Sequence, residues 1–185
     1  MRKVHVFNNV SLDGFFTDAR GDMSWAHKRD EEWNAFASSN ASGRAELLFG
    51  RVTYEQMAAF WPTPQAAAML PAVAAGMNAM KKIVFSRTLD TVTWQNTTLV
   101  KSDLVTEVTK LKRQPGADMV ILGSGSIVSQ LTEARLIDEY QIVVNPIVIG
   151  KGRTLFETVR DRLPLQLTKT RAFENGNVVH WYELT

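Results

Sequence analysis

Residues 120–131 read VILGSGSIVSQL, and this stretch decides how the fold is interpreted. A nearly continuous apolar run from Met119 leads into it, as is typical of a strand that is buried on both faces. Apolar residues at helical spacing lead out of it, from about Ser126 to Ala134. Two glycines and two serines occupy the junction, so the pattern predicts a chain that turns directly from a strand into a helix.

Two interpretations of this turn are open on its residues alone. A helix that begins after a glycine-rich turn presents free N–H groups and a positive end, which can bind a phosphate. The alternative is a plain turn in which Ser126 caps the helix. The turn is not a Rossmann fingerprint, because Val128 stands where a third glycine is needed, and no Gly-Lys-Ser/Thr follows to make a Walker A loop.

The rest of the chain alternates strands with helices and ends in strands alone. Helices are predicted at 30–41, 53–60 (with Thr53 as N-cap), 104–112 and 126–134. This order predicts one α/β domain over residues 1–185, with a mostly parallel central sheet, an antiparallel C-terminal hairpin and helices on both faces. The predicted strands are 4–10, 47–49, 82–86, 98–101, 119–122, 137–149, 165–173 and 178–184.

Composition limits the classes of function. The 185 residues carry 21 Lys and Arg against 19 Asp and Glu, without the basic cluster that nucleic-acid binding needs. The sequence has no cysteine and its histidines lack metal-ligand spacing, so we expect no metal site. No stretch reaches the roughly 18 apolar residues of a membrane span. The first residues lack the apolar core of a signal peptide, and we therefore expect a cytoplasmic protein.

Two further strand ends carry groups that suit phosphate. In LFGRVTYE, residues 48–55, Gly50 ends a short strand and Arg51 brings a guanidinium to the start of a helix. Ser86 and Arg87 follow the strand KIVFS in the same way. Ligands of open α/β sheets bind at the carboxyl ends of strands, so three such ends predict an elongated ligand such as a dinucleotide. For Arg51, a surface ion pair is the alternative.

Taken together, these segments resemble the dihydrofolate reductase superfamily, and most closely the reductase domain family of the bifunctional riboflavin-biosynthesis deaminase-reductase. The resemblance implies a three-layer dihydrofolate reductase-like fold and an NADPH-dependent reductase, and it favours a phosphate-binding turn at residues 123–127. The resembling segments follow the family's order across nearly the whole chain: VSLDGFF (10–16), LFGRVTYE (48–55), KIVFSRTL (82–89), VILGSGSIVSQL (120–131) and NPIVIGKGRTLF (145–156).

The resemblance also implies where NADPH would bind. The loop at 50–53 would hold the pyrophosphate and the adenosine 2′-phosphate, and residues 86–87 would flank the adenine ribose and its 2′-phosphate. The turn at 123–127 would lie under the pyrophosphate and the nicotinamide ribose, with a cis peptide between its first two residues and no side chain on its second glycine. The cofactor residues assigned in this way are Asn9 (beside the nicotinamide), Gly50, Arg51, Val52, Thr53, Ser86, Arg87, Gly123, Ser124, Gly125, Ser126 and Ile127.

The substrate side has fewer signals. In folate reductases an acid on the helix after the first loop serves the substrate ring, and Trp25 and Asp30 match its spacing. Asp30 is therefore the candidate catalytic acid, and both residues are candidates for substrate binding. The alternative is that Asp30, Glu31 and Glu32 form the acidic first turn of a helix. The segment 62–80 carries no charge, so it offers no arginine for a folate tail.

Three functions stay open. The first is NADPH-dependent reduction of a small heterocyclic or ribosylamino substrate, as in 5-amino-6-(5-phosphoribosylamino)uracil reductase. The others are dihydrofolate reduction and non-catalytic NADPH binding. We expect a homodimer, because the apolar run at 142–149 and the C-terminal hairpin leave apolar surface that one domain does not cover. No nucleic acid or membrane partner is expected.

Overall fold

The computed structural model describes residues 1–26, 30–41 and 45–185. None of the helices in these ranges is long and apolar enough to cross a bilayer. The strands are β1 (Val4–Ser11), β2 (Phe15–Asp18), β3 (Glu46–Gly50), β4 (Lys82–Phe85), β5 (Thr97–Val100), β6 (Met119–Leu122), β7 (Glu139–Asn145), β8 (Gly152–Thr154), β9 (Leu165–Ala172) and β10 (Val178–Leu184). The α-helices are α1 (Glu31–Ala41), α2 (Arg51–Phe60), α3 (Pro64–Met69), α4 (Pro71–Ala79), α5 (Leu104–Arg113) and α6 (Gly125–Glu133).

Eight strands form one sheet in the order β5-β4-β3-β6-β1-β7-β10-β9. All neighbours from β5 to β7 are parallel, whereas β10 is antiparallel to both β7 and β9. The strands β2 and β8 form a separate antiparallel pair. The predicted fold class, a mostly parallel sheet with an antiparallel C-terminal hairpin, is therefore confirmed.

Helices cover both faces of the sheet, because successive strand residues point to opposite sides. On one face α5 and α6 pack in a core that includes Val128 and Ile121. On the other face α2 and α4 share a core that includes Met77 and Phe49. The helix α1 covers the β1–β7–β10 part of this second face, where Trp33 is buried. The result is the predicted arrangement of three layers.

Several element boundaries differ from the sequence prediction, and two of the differences have a clear physical reason. The helix α2 begins at Arg51, and its N-cap is the residue before it, so the predicted N-cap role of Thr53 is wrong. The strand predicted to reach Ile149 ends at Asn145. Pro146 follows at once, and a residue without an N–H cannot continue the hydrogen-bond ladder of a central strand.

The uncharged segment 62–80 contains two helices, α3 and α4, that the sequence patterns did not predict. Pro64 and Pro71 interrupt the apolar pattern, but each occupies the first turn of its helix, where no N–H is needed. The hydroxyl of Thr63 caps α3 by accepting the Ala66 N–H at 3.2 Å. These helices become one wall of the cleft described below.

Gly76 lies where α4 meets the end of α1. A Cβ at this position would lie 2.3 Å from the carbonyl oxygen of Ala41. We expect Gly76→Ala to lower the free energy of unfolding by about 1–3 kcal/mol, because one helix backbone would have to move. In a helix without such a close neighbour, Gly→Ala would instead raise the free energy of unfolding by up to about 1 kcal/mol. Urea denaturation measures the difference.

The exposed neighbour Ala75 provides the control for this prediction. Ala75→Gly should cost about 1 kcal/mol through helix propensity alone. A Gly76→Ala protein that is as stable as the wild type would show that α1 and α4 do not approach each other so closely.

Lys82 is a buried lysine at the beginning of β4, with 1% of its surface exposed. Its Nζ donates hydrogen bonds to the carbonyl oxygens of Met77 at 2.8 Å and Met80 at 2.6 Å. It also lies 4.3 Å from the ring centroid of Trp94. The ammonium therefore holds the end of α4 against the sheet, and burial lowers the pKa of Lys82 from 10.5 to about 8.

This lowered pKa predicts a pH dependence of stability. Between about pH 8 and 10.5 the unfolded chain keeps the Lys82 proton while the folded chain releases it. Raising the pH through this window should therefore stabilise the wild type relative to Lys82→Met, by up to about 3 kcal/mol. Urea denaturation of both proteins at several pH values tests this. Parallel profiles for the two proteins would contradict it.

Candidate functional site

A cleft of about 1320 Å³ lies at the carboxyl ends of the parallel strands. Its walls include the turns after β3 and β6, the strand end after β4, and the helices α1, α3 and α4. Every residue that the resemblance assigns to the cofactor lines this one cleft: Asn9, Gly50, Arg51, Val52, Thr53, Ser86, Arg87, Gly123, Ser124, Gly125, Ser126 and Ile127.

The glycine-rich turn after β6 is held by groups at the ends of two other strands. The Gly123 N–H donates to Asn8 Oδ1 at 2.7 Å, and Asn8 Nδ2 donates to the Gly123 carbonyl at 3.4 Å. The Ser124 N–H donates to Thr53 Oγ1 at 2.9 Å, and the Gly50 N–H donates to Ser124 Oγ at 2.9 Å. We call these bonds the turn network. They fix the backbone of the turn by protein contacts alone.

The backbone of this turn differs from the sequence expectation. No peptide bond among the described residues is cis, so the predicted cis peptide between Gly123 and Ser124 is wrong. Both residues instead have left-handed backbone conformations, with φ of 62° and 57°. For a residue with a side chain this conformation costs about 1–2 kcal/mol. The hydrogen bonds that Ser124 makes with Thr53 and Gly50 offset this cost.

The start of α6 determines which N–H groups remain for an anion. The N–H groups of Ile127 and Val128 both donate to the Ser124 carbonyl, at 2.8 and 3.0 Å. Helix geometry leaves the preceding N–H groups, of Gly125 and Ser126, without an acceptor inside α6. The helix begins at Gly125 with Ser124 as N-cap and no side-chain cap, so the alternative role of Ser126 as cap is wrong.

The start of α2 presents a second set of donors to the cleft. Its N-cap residue is Gly50, and no side chain caps the helix, so the first N–H groups of α2 are also free of intrahelical acceptors. The guanidinium of Arg51 pairs with Glu55 at 2.9 Å, and both side chains are about half exposed. This is the surface ion pair that was the alternative role of Arg51 in the sequence analysis. It occupies part of a guanidinium that has five N–H donors.

The strand end after β4 is also an ordered turn. Ser86 Oγ accepts the Leu89 N–H at 3.0 Å, while the side chain of Arg87 is exposed. The pKa of Asp103, the N-cap of α5, is lowered mainly by hydrogen bonds from Thr106, with a smaller contribution from the Arg87 charge. Arg87 is thus a cation on the same cleft as Arg51.

Phe16 fills the space beside Gly125. A Cβ at Gly125 would lie 2.6 Å from Phe16 Cζ, and Phe16 is only 7% exposed. From the sequence, Gly125 was expected to lack a side chain because the cofactor would lie against it. The structure adds a different reason, because any side chain here would displace the Phe16 ring whether or not a ligand is bound.

The candidate substrate residues Trp25 and Asp30 are not among the described residues that line the cleft. Asp30 Oδ1 accepts the Trp33 N–H at 2.6 Å, so the carboxylate caps α1. This agrees with the alternative interpretation of an acidic helix start. Trp25 Nε1 donates to the Asp22 carbonyl at 3.3 Å. Trp33, on the first turns of α1, does line the cleft.

Sequence patterns did not single out Asn8 or Phe16. The only available signal for Asn8 was a pair of asparagines, Asn8 and Asn9, that interrupts an otherwise apolar strand. Phe16 was indistinguishable from a core aromatic residue. Within the described ranges, no three His, Asp or Glu side chains are grouped so that they could hold a metal ion.

Solved structures resemble the fold over its whole length. A crystal structure from a Shewanella species has a TM-score of 0.74, with 23% identity and 99% of both chains covered. The Thermotoga maritima diaminohydroxyphosphoribosylaminopyrimidine deaminase/5-amino-6-(5-phosphoribosylamino)uracil reductase has a TM-score of 0.72 at 15% identity, covering 100% of this chain and 57% of that chain. A pyrimidine reductase-like protein from Corynebacterium diphtheriae has a TM-score of 0.64 at 12% identity, covering 100% and 92% of the two chains.

Two sequence relatives match this chain over nearly its whole length. The uncharacterized protein YyaP of Bacillus subtilis is 28% identical over 176 residues, which cover 93% of this chain and 91% of YyaP. The uncharacterized protein YwjB of the same organism is 24% identical over 180 residues, with 97% of each chain covered. The family model described as the RibD C-terminal domain matches residues 2–179. This chain therefore belongs to the RibD C-terminal domain family.

Proposed function

We propose that this protein is an NADPH-dependent reductase that acts on a small heterocyclic or ribosylamino substrate. One observation carries the proposal: two helix starts without side-chain caps, at α2 and α6, converge on one cleft, and Arg51 stands on one of them. Helix starts favour phosphate groups, and a guanidinium matches a phosphate monoester. The Thermotoga neighbour is named as a 5-amino-6-(5-phosphoribosylamino)uracil reductase as well as a deaminase, and this name supports the reaction class.

The donors on the cleft fit the phosphates of a dinucleotide. The N–H groups of Gly125 and Ser126 would bind the pyrophosphate from one side, and the start of α2 would bind it from the other. Ser86 and Arg87 would flank the adenosine ribose and its 2′-phosphate. When bound, NADPH supplies a hydride from C4 of its nicotinamide. The chain's own part is to orient the cofactor and to exclude water from the cleft.

Dihydrofolate reduction and non-catalytic NADPH binding are the competing functions. The cleft wall at 62–80 is uncharged, so this segment offers no arginine to a folate tail. NADPH titration followed by NADPH oxidation with 5-amino-6-(5-phosphoribosylamino)uracil, uncharged heterocycles and dihydrofolate separates the three. Binding without oxidation across this panel would favour the non-catalytic protein, and a protein that does not bind NADPH would refute the proposal.

Arg51 should select NADPH over NADH. Pairing of its guanidinium with the 2′-phosphate would contribute about 1.5–3 kcal/mol. We therefore expect Arg51→Ala to weaken NADPH binding roughly 10- to 100-fold and to leave NADH binding nearly unchanged. Because Glu55 competes for the same guanidinium, Glu55→Gln should tighten NADPH binding slightly. Fluorescence titration with both cofactors measures these changes.

Arg162→Ala provides the matched control, since Arg162 is exposed and is not among the residues that line the cleft. It should bind both cofactors like the wild type. Equal losses of NADPH and NADH binding in Arg51→Ala would show that Arg51 does not pair with the 2′-phosphate.

We also propose that the protein is a homodimer formed through its C-terminal hairpin. The strand β9 is an edge of the sheet, and its Leu167 is 51% exposed. Val148, in the segment that follows β7, is 65% exposed. Light scattering should give about twice the chain mass of 20.7 kDa. Leu167→Lys should shift the protein towards the monomer, and a mass near one chain at all concentrations would contradict the proposal.

A further inference from the structure

Two asparagines are buried where the ladder between β7 and β10 ends. Asn145 is 1% exposed and Asn177 is 0% exposed. Val144 and Val178 are the last pair of this ladder, and each asparagine stands one position beyond that pair. Continuing the register by one position places the two amides opposite each other, where Cβ atoms are typically about 4.5–5.5 Å apart.

Both amides belong to the face of the sheet that α1 covers. Successive strand residues alternate between faces, so Asn145 shares a face with Val143, and Asn177 shares it with Val179. Both valines are fully buried in the aromatic cluster that includes Trp33 of α1. The amides therefore lie in an apolar layer, where a polar group needs a hydrogen-bond partner.

The backbone around Asn177 is held by its own hydrogen bonds. The Asn177 N–H donates to Asn175 Oδ1 at 2.9 Å, and its carbonyl oxygen accepts the Phe173 N–H at 2.9 Å. The turn also packs against the end of β7, since a Cβ at Gly176 would lie 3.1 Å from Pro146 Cγ. The position of the Asn177 side chain is thus fixed from both sides.

The orientation of the Asn145 amide is set by backbone carbonyls. Its Nδ2 donates to the carbonyl oxygens of Val10 at 3.2 Å and Val143 at 3.3 Å, and it lies 3.2 Å from Asn9 Oδ1. Carbonyls only accept hydrogen bonds, so the end that faces them is the NH₂ group. Asn145 Oδ1 points elsewhere and has no hydrogen-bond partner among the described residues.

The Asn177 amide adds a second unpaired acceptor and an unpaired donor. Neither its Oδ1 nor its Nδ2 has a hydrogen-bond partner in the described part of the chain. Exchanging the two ends of this amide leaves the count unchanged, because one end always donates and the other accepts. Native proteins seldom leave buried polar atoms unpaired, so three such atoms at one place indicate a bound molecule.

One water molecule matches this set of groups. It can donate to Asn145 Oδ1 and Asn177 Oδ1 and accept from Asn177 Nδ2, and three hydrogen bonds are typical of a buried water. A metal cation would offer no acceptor to the NH₂ group, and a simple anion would offer no donor to the two amide oxygens. Either ion would also place an unpaired charge in an apolar layer.

We infer that Asn145 and Asn177 form a binding site for one buried structural water. The water completes the hydrogen bonding of both amides at the point where Pro146 ends the ladder. It also joins the hairpin turn, through Asn145, to Asn9 on the cleft. The site goes beyond the proposed function and does not depend on it.

A crystal structure of the wild type that resolves ordered waters tests the site directly. We expect one water within hydrogen-bonding distance of Asn145 Oδ1 and of both polar side-chain atoms of Asn177. In solution, the NH₂ protons of Asn177 should show magnetic cross-relaxation with a water that stays bound longer than surface water. A direct hydrogen bond between the two amides, or a site that holds no water, would overturn the inference.

Asn177→Leu tests the site through the sign of its effect on stability. Leucine keeps the branched shape of asparagine and removes both polar atoms. If the water is bound in the wild type, the variant loses it and leaves Asn145 Oδ1 unpaired, so the urea midpoint should fall. In a dry site, removing two unpaired polar atoms should raise the midpoint instead. A variant at least as stable as the wild type would therefore refute the water site.

Asn145→Leu and the double variant separate the water from crowding by leucine. One water can be lost only once, so Asn145→Leu/Asn177→Leu should lose less stability than the sum of the two single losses. Additive losses would contradict a shared water. The control is Gln166→Leu, which changes an exposed amide on β9 and should shift the midpoint little. The measurements on the wild type stand whether or not the variants fold.

Discussion

The hydrogen bonds that join the ends of β1, β3 and β6 are the constraint on which the cleft depends. Asn8, Thr53 and Ser124 each accept a backbone N–H from another turn of the turn network. These bonds hold Ser124 in a left-handed conformation that it would otherwise avoid. A turn fixed in this way needs little reorganisation when a ligand arrives, so less of the binding free energy is lost to ordering. The two helix starts keep their relative positions for the same reason.

The same bonds divide the backbone donors into two groups. The N–H groups of Gly123 and Ser124 serve the protein, and those of Gly125 and Ser126 are left for a ligand. Charge is divided along the cleft in a similar way. Guanidinium groups stand at the strand ends, and the walls built by α1 and segment 62–80 carry amides and apolar side chains. The strand ends thus carry the groups that suit phosphates.

The fold and the location of the cleft could be predicted from the sequence, because strand ends with glycine, hydroxyl and guanidinium groups mark the carboxyl edge of a parallel sheet. The resemblance extended this to individual cofactor residues, all of which line the cleft. Local patterns failed where a distant partner decides the outcome. Thr53 has the residue type of an N-cap, but its hydroxyl is bound by Ser124, and α2 begins earlier. Pro71 interrupts the apolar pattern and so suggests the end of a helix, although α4 begins at this residue. The hydrogen bond of Asn145 to Asn9 joins residues 136 positions apart, which no local pattern reveals.

The turn network also has a consequence for how the chain folds. Its bonds join residues that are 115, 71 and 74 positions apart in sequence. Contacts of such separation form only after long loops have closed, and proteins rich in them fold slowly. During synthesis, β1 emerges first, and Asn8 can accept the Gly123 N–H only after β6 has been made. The two helix starts are held together only once these bonds have formed, so we expect the cleft to take shape late in folding.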